Sequence, residues 1–300
     1  MLQLLPCLLI IEDNPGAELL QEVSVEIGGQ QIDKHYAQWL EIWAELTESN
    51  PSGAKDGTLF QKMSCMGGVT STLTTSAGDL VMVPLQFWFN RNPGLALPLI
   101  ALQYHEVKVV MKLGSADELG TMCAANGTTE VQLWADYIYL DTDERRRFAQ
   151  VSHEYLIEQL QKNTLTADTK TNTLTFNHPV KELVWTKGLS ADPDPVDGGN
   201  FKLVLNGQDR MASRPTKYFT RAQVWQHHTG HGSVTEDDSI AVYSFALKPE
   251  EHQPSGTCNF SRIDNAQIVS TANTAEGNIY AVNYNVLRIM SGMGGLAYSN

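Results

Sequence analysis

Short runs of alternating apolar and polar residues, separated by Gly, Pro, Asn and Asp, make up most of this chain. Alternation places successive side chains on opposite faces of an extended backbone, so each run predicts a strand with one face in a core. Val23–Ile27 is the first such run and ends in the turn signal Gly28-Gly29. Val81–Phe89, Tyr104–Leu113 and Val131–Leu140 follow, rich in β-branched and aromatic residues, and Pro84 predicts an edge or a bulge in the first of these. Further along come Leu174–Phe176, Val180–Trp185, Phe201–Leu205, Ile240–Leu247, Ile263–Val269 and Ile279–Ile289. Many short strands divided by turn residues predict an all-β sandwich or barrel. Two segments break the pattern. Ile32, Tyr36, Trp39, Leu40, Trp43 and Leu46 recur at helical spacing. Asp143–Leu160 predicts a second helix with Asp143 as its N-cap, placed mid-chain as a connector between two β units.

The two parts of the chain are weakly alike. Val25–Gln30 and Leu203–Gln208 each read as a strand, a tight Gly turn and a Gln. An aromatic strand then breaks at a proline-containing loop and returns: Phe87–Phe89 to Tyr104–Val109, and Tyr243–Phe245 to Phe260–Ile268. Each part closes with a strand containing tyrosine, Trp134–Leu140 and Tyr280–Ile289. Similar features in the same order predict an internal duplication of one β-sandwich.

Composition narrows the function. The 300 residues suffice for one large or two medium cores, and a charged fraction of only 18% argues against long disordered tracts. A formal net charge of −13 argues against direct nucleic-acid binding. Cys7, Cys65, Cys123 and Cys258 are far apart and read as reduced thiols, neither a disulfide framework nor a zinc site. Met1–Ile11 is apolar but contains Gln3 and Pro6 and lacks a basic leader, so it predicts a buried strand or the edge of a truncated domain rather than a signal peptide.

Five longer blocks, residues 28–46, 84–109, 135–161, 243–265 and 283–300, closely resemble the major capsid protein of nucleocytoplasmic large DNA viruses, with the phycodnavirus, mimivirus and iridovirus type nearest. The resemblance runs from about residue 23 to the last residue. It implies a double jelly roll, two eight-stranded antiparallel sandwiches in one chain, with the first over residues 1–145 and the second over 146–300. It also implies a non-enzymatic homotrimer forming a pseudo-hexagonal capsomer of an icosahedral shell. Neighbouring capsomers, minor capsid proteins and an internal membrane layer are the implied partners, with synthesis in the host cytoplasm and no cofactor. Only 27 residues precede Gly28, fewer than in the family, so the first jelly roll is expected to be incomplete at its N-terminus, with strand edges left open. Trp39, Trp43, Phe219 and Trp225 are the candidate interface anchors, since buried aromatics dominate such contacts.

Other chemistry gives way to plainer readings. His227, His228 and His231, with Glu236 nearby, could hold a metal as in cupin-like jelly-roll enzymes, but the usual His-x-His pair is missing and a polar loop is expected. Asp192, Asp194 and Asp197 only approximate a calcium loop, with two prolines intruding. Gly292–Gly295 precedes no helix that could seat a phosphate. Glu250 and Glu251 are adjacent and read as a solvated loop, and Arg145–Arg147 as a helix face paired with Asp141, Asp143 and Glu144. No serine or cysteine stands in a nucleophile motif. Tyr36, Trp39 and Trp43 could form the platform of a glycan-binding β-sandwich, with core packing or subunit contact the expectation. Asn126 and Asn259 match the glycosylation pattern, and Asn126, in a turn-rich loop, is the better candidate of the two.

Overall fold

Among the described residues, strand-forming segments pair into four sheets, all with antiparallel ladders. The computed structural model describes residues 2–4, 15–48, 58–67, 81–114, 131–189, 196, 199–230 and 238–298. In the first part the strands are β1 (Leu2–Leu4), β2 (Leu20–Ile27), β3 (Gln30–Tyr36), β4 (Val81–Val83), β5 (Val107–Leu113) and β6 (Val131–Leu133). They form two three-stranded sheets, β4-β1-β6 and β3-β2-β5. Its helices are α1 (Pro15–Glu18), α2 (Ala37–Thr47), α3 (Leu59–Ser64) and α4 (Trp88–Arg91), and α5 (Thr142–Gln150) leads into the second part.

The second part contains β7 (His153–Leu165), β8 (Thr169–Leu174), β9 (Pro179–Lys187), β10 (Asn200–Leu205), β11 (Gln208–Asp209), β12 (Arg214–Pro215), β13 (Ala241–Ser244), β14 (Cys258–Asn259), β15 (Ala266–Thr274), β16 (Gly277–Met290) and β17 (Met293–Leu296). A π-turn over Tyr218–Ala222 runs into α6 (Gln223–His227). One sheet is β11-β10-β15-β8 with β12 also on β10; the other is β13-β9-β16-β17 with β14 on β9 and β7 on β16. The two sheets face each other across a core that includes Leu183, Trp185, Ile279 and Ala281 on one side and Phe201, Leu203 and Ile268 on the other. This is a jelly-roll sandwich, and the chain is all-β with few, short helices.

The repeated turn motif is real at the level of backbone. Gly28 and Gly29 have φ of 60° and 80°, and Asn206 and Gly207 have 50° and 77°. Positive φ at both central residues is what a two-residue hairpin with native twist requires, so β2–β3 and β10–β11 turn alike.

Four expected elements change identity or extent. Ile32–Tyr36 is strand, not helix, because the Gly turn lays it against β2 as far as the pair Tyr36–Glu22; α2 starts where that ladder ends. The expected helix over Asp143–Leu160 stops at Gln150, and its N-cap is Asp141. From His153 the chain pairs continuously with β16, from Ile289–His153 to Gly277–Leu165, and that long ladder overrides helical propensity. Val81–Phe89 leaves its ladder before Pro84, which has no N–H to give, and Trp88 begins a helical turn. The expected strand Val131–Leu140 ends at Leu133, the last residue with a partner on β1.

Candidate functional site

For a β protein with no obvious pocket among the described residues, function rests on how its parts dock and on what surface they leave open. The docking element is α2. Residues Gln38–Leu46 are all buried. Leu40 and Ala44 point into a first core with Val23, Val25, Phe87 and Trp88. Trp39, Ile42, Trp43 and Leu46 face the other way, onto Val184, Val242, Tyr280 and Val282. Those four belong to the six-stranded sheet of the second part, on the face opposite its own sandwich core. Alternation along β16 explains this: Ile279 and Ala281 enter the sandwich, Tyr280 and Val282 meet the helix.

Polar bonds fix the same junction. Gln38 Oε1 accepts from Asn278 Nδ2 at 2.7 Å and from the Tyr280 hydroxyl at 3.0 Å. The Leu160 N–H donates to Asp33 Oδ1 at 2.9 Å, and Gln159 Nε2 donates to the Ile32 carbonyl. Gly230 N–H donates to the Leu46 carbonyl at 2.7 Å, and a Cβ there would collide with the Glu45 and Leu46 carbonyl oxygens, so only glycine fits so close to the end of α2.

A buried charge network lies alongside. Lys181 Nζ, fully buried on β9, is 2.7 Å from Glu158 Oε1 on β7, and Arg91 Nη2 from α4 pairs with Glu158 Oε2. The Arg91 guanidinium also stacks over Trp43 at 4.7 Å. Burial alone would raise the Glu158 carboxyl, but His252, whose Nδ1 lies 3.8 Å from Glu158 Oε1, and the charges of Arg91 and Lys181 hold it down to about 2. Next to it, His228 Nε2 lies 3.0 Å from Glu182 Oε2 and Nδ1 lies 3.1 Å from Glu250 Oε1. Burial would lower the imidazole, yet two carboxylates accepting from both nitrogens keep it charged, with its pKa pushed up to about 9. Glu250 is therefore a clamp on His228 and on the Thr229 N–H at 2.8 Å, a correction to the solvated loop expected for Glu250-Glu251. Glu251 does reach solvent, paired with Lys248. A cavity of about 20 Å³ at the junction, lined by residues including Asp33, His35, Arg91 and Glu158, has room for a water and not for a substrate.

The sequence-based candidates separate on burial. Trp39 and Trp43 are 3% and 5% exposed and Phe219 is fully buried. All three are core side chains of a single chain, so they cannot anchor a neighbouring chain without unfolding; this corrects their expected role. Trp39 and Trp43 pack with Tyr280, which also removes the glycan platform. Trp225 differs: it is 82% exposed on α6. Leu247 is exposed on the adjacent loop, held there because His227 Nδ1 bonds the Leu247 carbonyl at 3.1 Å. Of the metal candidates, His227 and His228 are thus engaged elsewhere, and His231 and Glu236 lie outside the described residues, as do Asp192, Asp194, Asp197 and Asn126. Among the described residues no group of three His, Cys, Asp or Glu is placed to hold a metal, and no helix is long and apolar enough to cross a membrane. Asn259 is exposed on β14, its side chain accepting from the Ser261 N–H at 3.1 Å. Arg145, on an α5 with no buried residues, donates to the Leu140 carbonyl.

A second exposed apolar stretch follows β6. Leu133, Trp134, Tyr137, Ile138 and Tyr139 all face solvent, where a continuing strand was expected. The charge network was missed for a different reason: its members are scattered from residue 91 to residue 252. Only Lys181-Glu182, two charges inside the apolar run of β9, offered a signal.

Comparison with known proteins gives a consistent result. A family described as "Major capsid protein N-terminus" matches residues 11–141, and one described as "Large eukaryotic DNA virus major capsid protein" matches 144–198 and 194–295. The major capsid protein of Pyramimonas orientalis virus is 52% identical, over 95% of this chain and 78% of the relative. That of Paramecium bursaria Chlorella virus 1 is 42% identical, over 95% and 80%. Among solved structures, a quasi-atomic model of the PBCV-1 virus capsid superposes with a TM-score of 0.82 at 37% identity, covering all of this chain and 89% of that one. The Faustovirus major capsid protein, at 12% identity and a TM-score of 0.63 over 97% of this chain and 74% of that one, shares the fold.

Proposed function

The chain belongs to the major capsid protein family of large eukaryotic DNA viruses, and from that premise we propose that three copies associate into one pseudo-hexagonal capsomer of an icosahedral shell. As a member of that family it is a structural component of the virion capsid. The observation that carries the assembly reading is the match to a chain of the PBCV-1 capsid along the whole of this one. The protein acts by self-association and not by catalysis, a reading supported by relatives that are structural capsid proteins. We draw the boundary of two jelly rolls at α5, residues 1–145 and 146–300, where one family match ends at 141 and the next begins at 144. Synthesis in the host cytoplasm and contacts with minor capsid proteins and an underlying membrane belong to the same proposal and rest on the sequence resemblance.

Trp225 and Leu247 form the apolar surface we assign to the contact between the three chains, because each is large, exposed and set on a well-packed support. Light scattering after size exclusion tests this directly. The expected species has three times the mass of the 33.2 kDa chain, and Trp225→Ala shifts it toward single chains without changing the thermal midpoint. A single-chain species at all concentrations would sink the three-chain reading.

A further inference from the structure

Two residues that line the junction cavity, His35 on β3 and Arg91 on α4, each carry a buried nitrogen with no hydrogen-bond partner among the described residues: His35 Nδ1 and Arg91 Nε. An unpaired buried polar atom costs its full desolvation, and two at one cavity call for a shared partner. The walls include residues of β3, α2, α4, β7 and β16, so the cavity lies where the two parts of the chain meet. We infer that this cavity is a binding site for one structural water, which accepts from the Arg91 Nε–H and donates to His35 Nδ1.

The character of the two nitrogens selects the ligand. His35 Nε2 lies 3.1 Å from Asp33 Oδ2. A carboxylate only accepts, which assigns the ring proton to Nε2 and leaves Nδ1 with a lone pair. Arg91 Nε only donates. The occupant must therefore give a proton to one nitrogen and take one from the other. Chloride has no proton for Nδ1 and meets the Asp33 and Glu158 side chains that share the lining. A metal cation meets the Arg91 N–H, and ammonium cannot accept from it. Water does both, and keeps a hydrogen for one of the two carboxylates. Size agrees, since about 20 Å³ admits one water. Both nitrogens are also held in place. The His35 ring stacks on Phe87 with centroids 4.4 Å apart, and the Arg91 guanidinium lies over Trp43 while Nη2 pairs with Glu158. The water joins two networks. On one side are His35 and Asp33, which accepts from the Leu160 N–H. On the other are Arg91, Glu158 and Lys181. Hydrogen bonds then run unbroken from β3 to β9 across the junction.

The test is a crystal structure of the full chain grown in sodium bromide, with data fine enough to place ordered water. The expected map has a single oxygen-sized peak about 2.7–3.2 Å from both His35 Nδ1 and Arg91 Nε, with no anomalous bromide signal there. A map without that peak, or with bromide in its place, overturns the proposal. In solution, relaxation dispersion of isotope-labelled water oxygen counts the long-lived buried waters. His35→Phe keeps a ring on Phe87 and removes the acceptor, so the count is expected to fall by one against the wild type. An unchanged count means that His35 holds no water, and overturns the proposal as well. If His35→Phe does not fold, the wild-type map decides alone.

Discussion

The two parts of this molecule solve the same packing problem with different means. After α5, sheets of five and six strands close a core between them from their own residues. Before α5, two three-stranded sheets meet a core that is completed by Ile157, Leu287 and Ile289, three side chains from β7 and β16. Those two strands, 13 and 14 residues long, reach past their own sandwich and serve both cores. In return the first part lends α2, which covers the outer face of the six-stranded sheet. The dependence is unequal. The second part keeps a sandwich of its own if α2 is lost, whereas the first loses a wall of its core if the β7–β16 pair unravels.

Truncations on the two sides separate these roles and carry the largest expected effects. Trp43→Ala empties the junction and removes the surface under Arg91, costing about 3–5 kcal/mol. Its expected signature in urea denaturation is an early transition for the first part, followed by a second transition near the wild-type midpoint. Phe219→Ala, a cavity of similar cost inside the second sandwich, lowers one shared transition instead, because the first part cannot outlast its support. If the two variants give the same curve shape, the asymmetry is wrong.

Glu158→Gln probes the ionic side of the same junction. It leaves Lys181 buried and Arg91 half-buried without their shared carboxylate, and breaking such an arrangement around a buried lysine costs about 3 kcal/mol. Because the folded-state carboxyl is held near 2, its contribution is full above the unfolded value and lost as pH falls through about 2. The acid limb of the stability profile should flatten in the variant. His228 works in the opposite direction. Its folded-state value is raised, so the stabilisation is complete below about 6.5 and drains away as pH climbs through about 9. The facing charges are Glu182 and Glu250, with Lys181 next in sequence on β9. Chemical denaturation between pH 6 and 10 should show a loss of on the order of 2–3 kcal/mol that His228→Gln abolishes. A wild-type midpoint unchanged across that range would mean the clamp holds no charge.

How much of this was readable beforehand follows from what kind of interaction decides each element. Strands with alternating patterns and a local turn, β2 and β10 above all, were legible, because the Gly28-Gly29 and Asn206-Gly207 turns are written in adjacent residues. The long strand β7 was not. Its sequence tolerates a helix, and what makes it a strand is β16, more than a hundred residues away. The same distance problem hid the site. Trp39 and Trp43 stand out as aromatics expected at a contact between chains, but helical spacing cannot tell a wall between two parts of one chain from a face offered to another. Burial decided that. Trp225 lies on a short helix among polar neighbours, and its exposure was legible only as an absence of apolar company.

The smallest expected effect lies at α5, the connector between the two parts. No residue of this helix is buried, so no core pays for it, and its order depends on the cap in which Asp141 Oδ1 accepts from the Asp143 and Glu144 N–H groups at 3.0 and 2.9 Å. Glu144 reaches back to the Asp141 N–H, completing the reciprocal pair. Asp141→Ala removes about 1 kcal/mol of local stability. Hydrogen exchange should therefore speed up roughly fivefold across residues 145–150, while the global midpoint stays within experimental error because neither core contains a residue of α5. A global midpoint that falls with the cap would show that the connector helps hold the two parts in register. The unequal dependence of the two parts would then run through α5 as well as through α2 and β16.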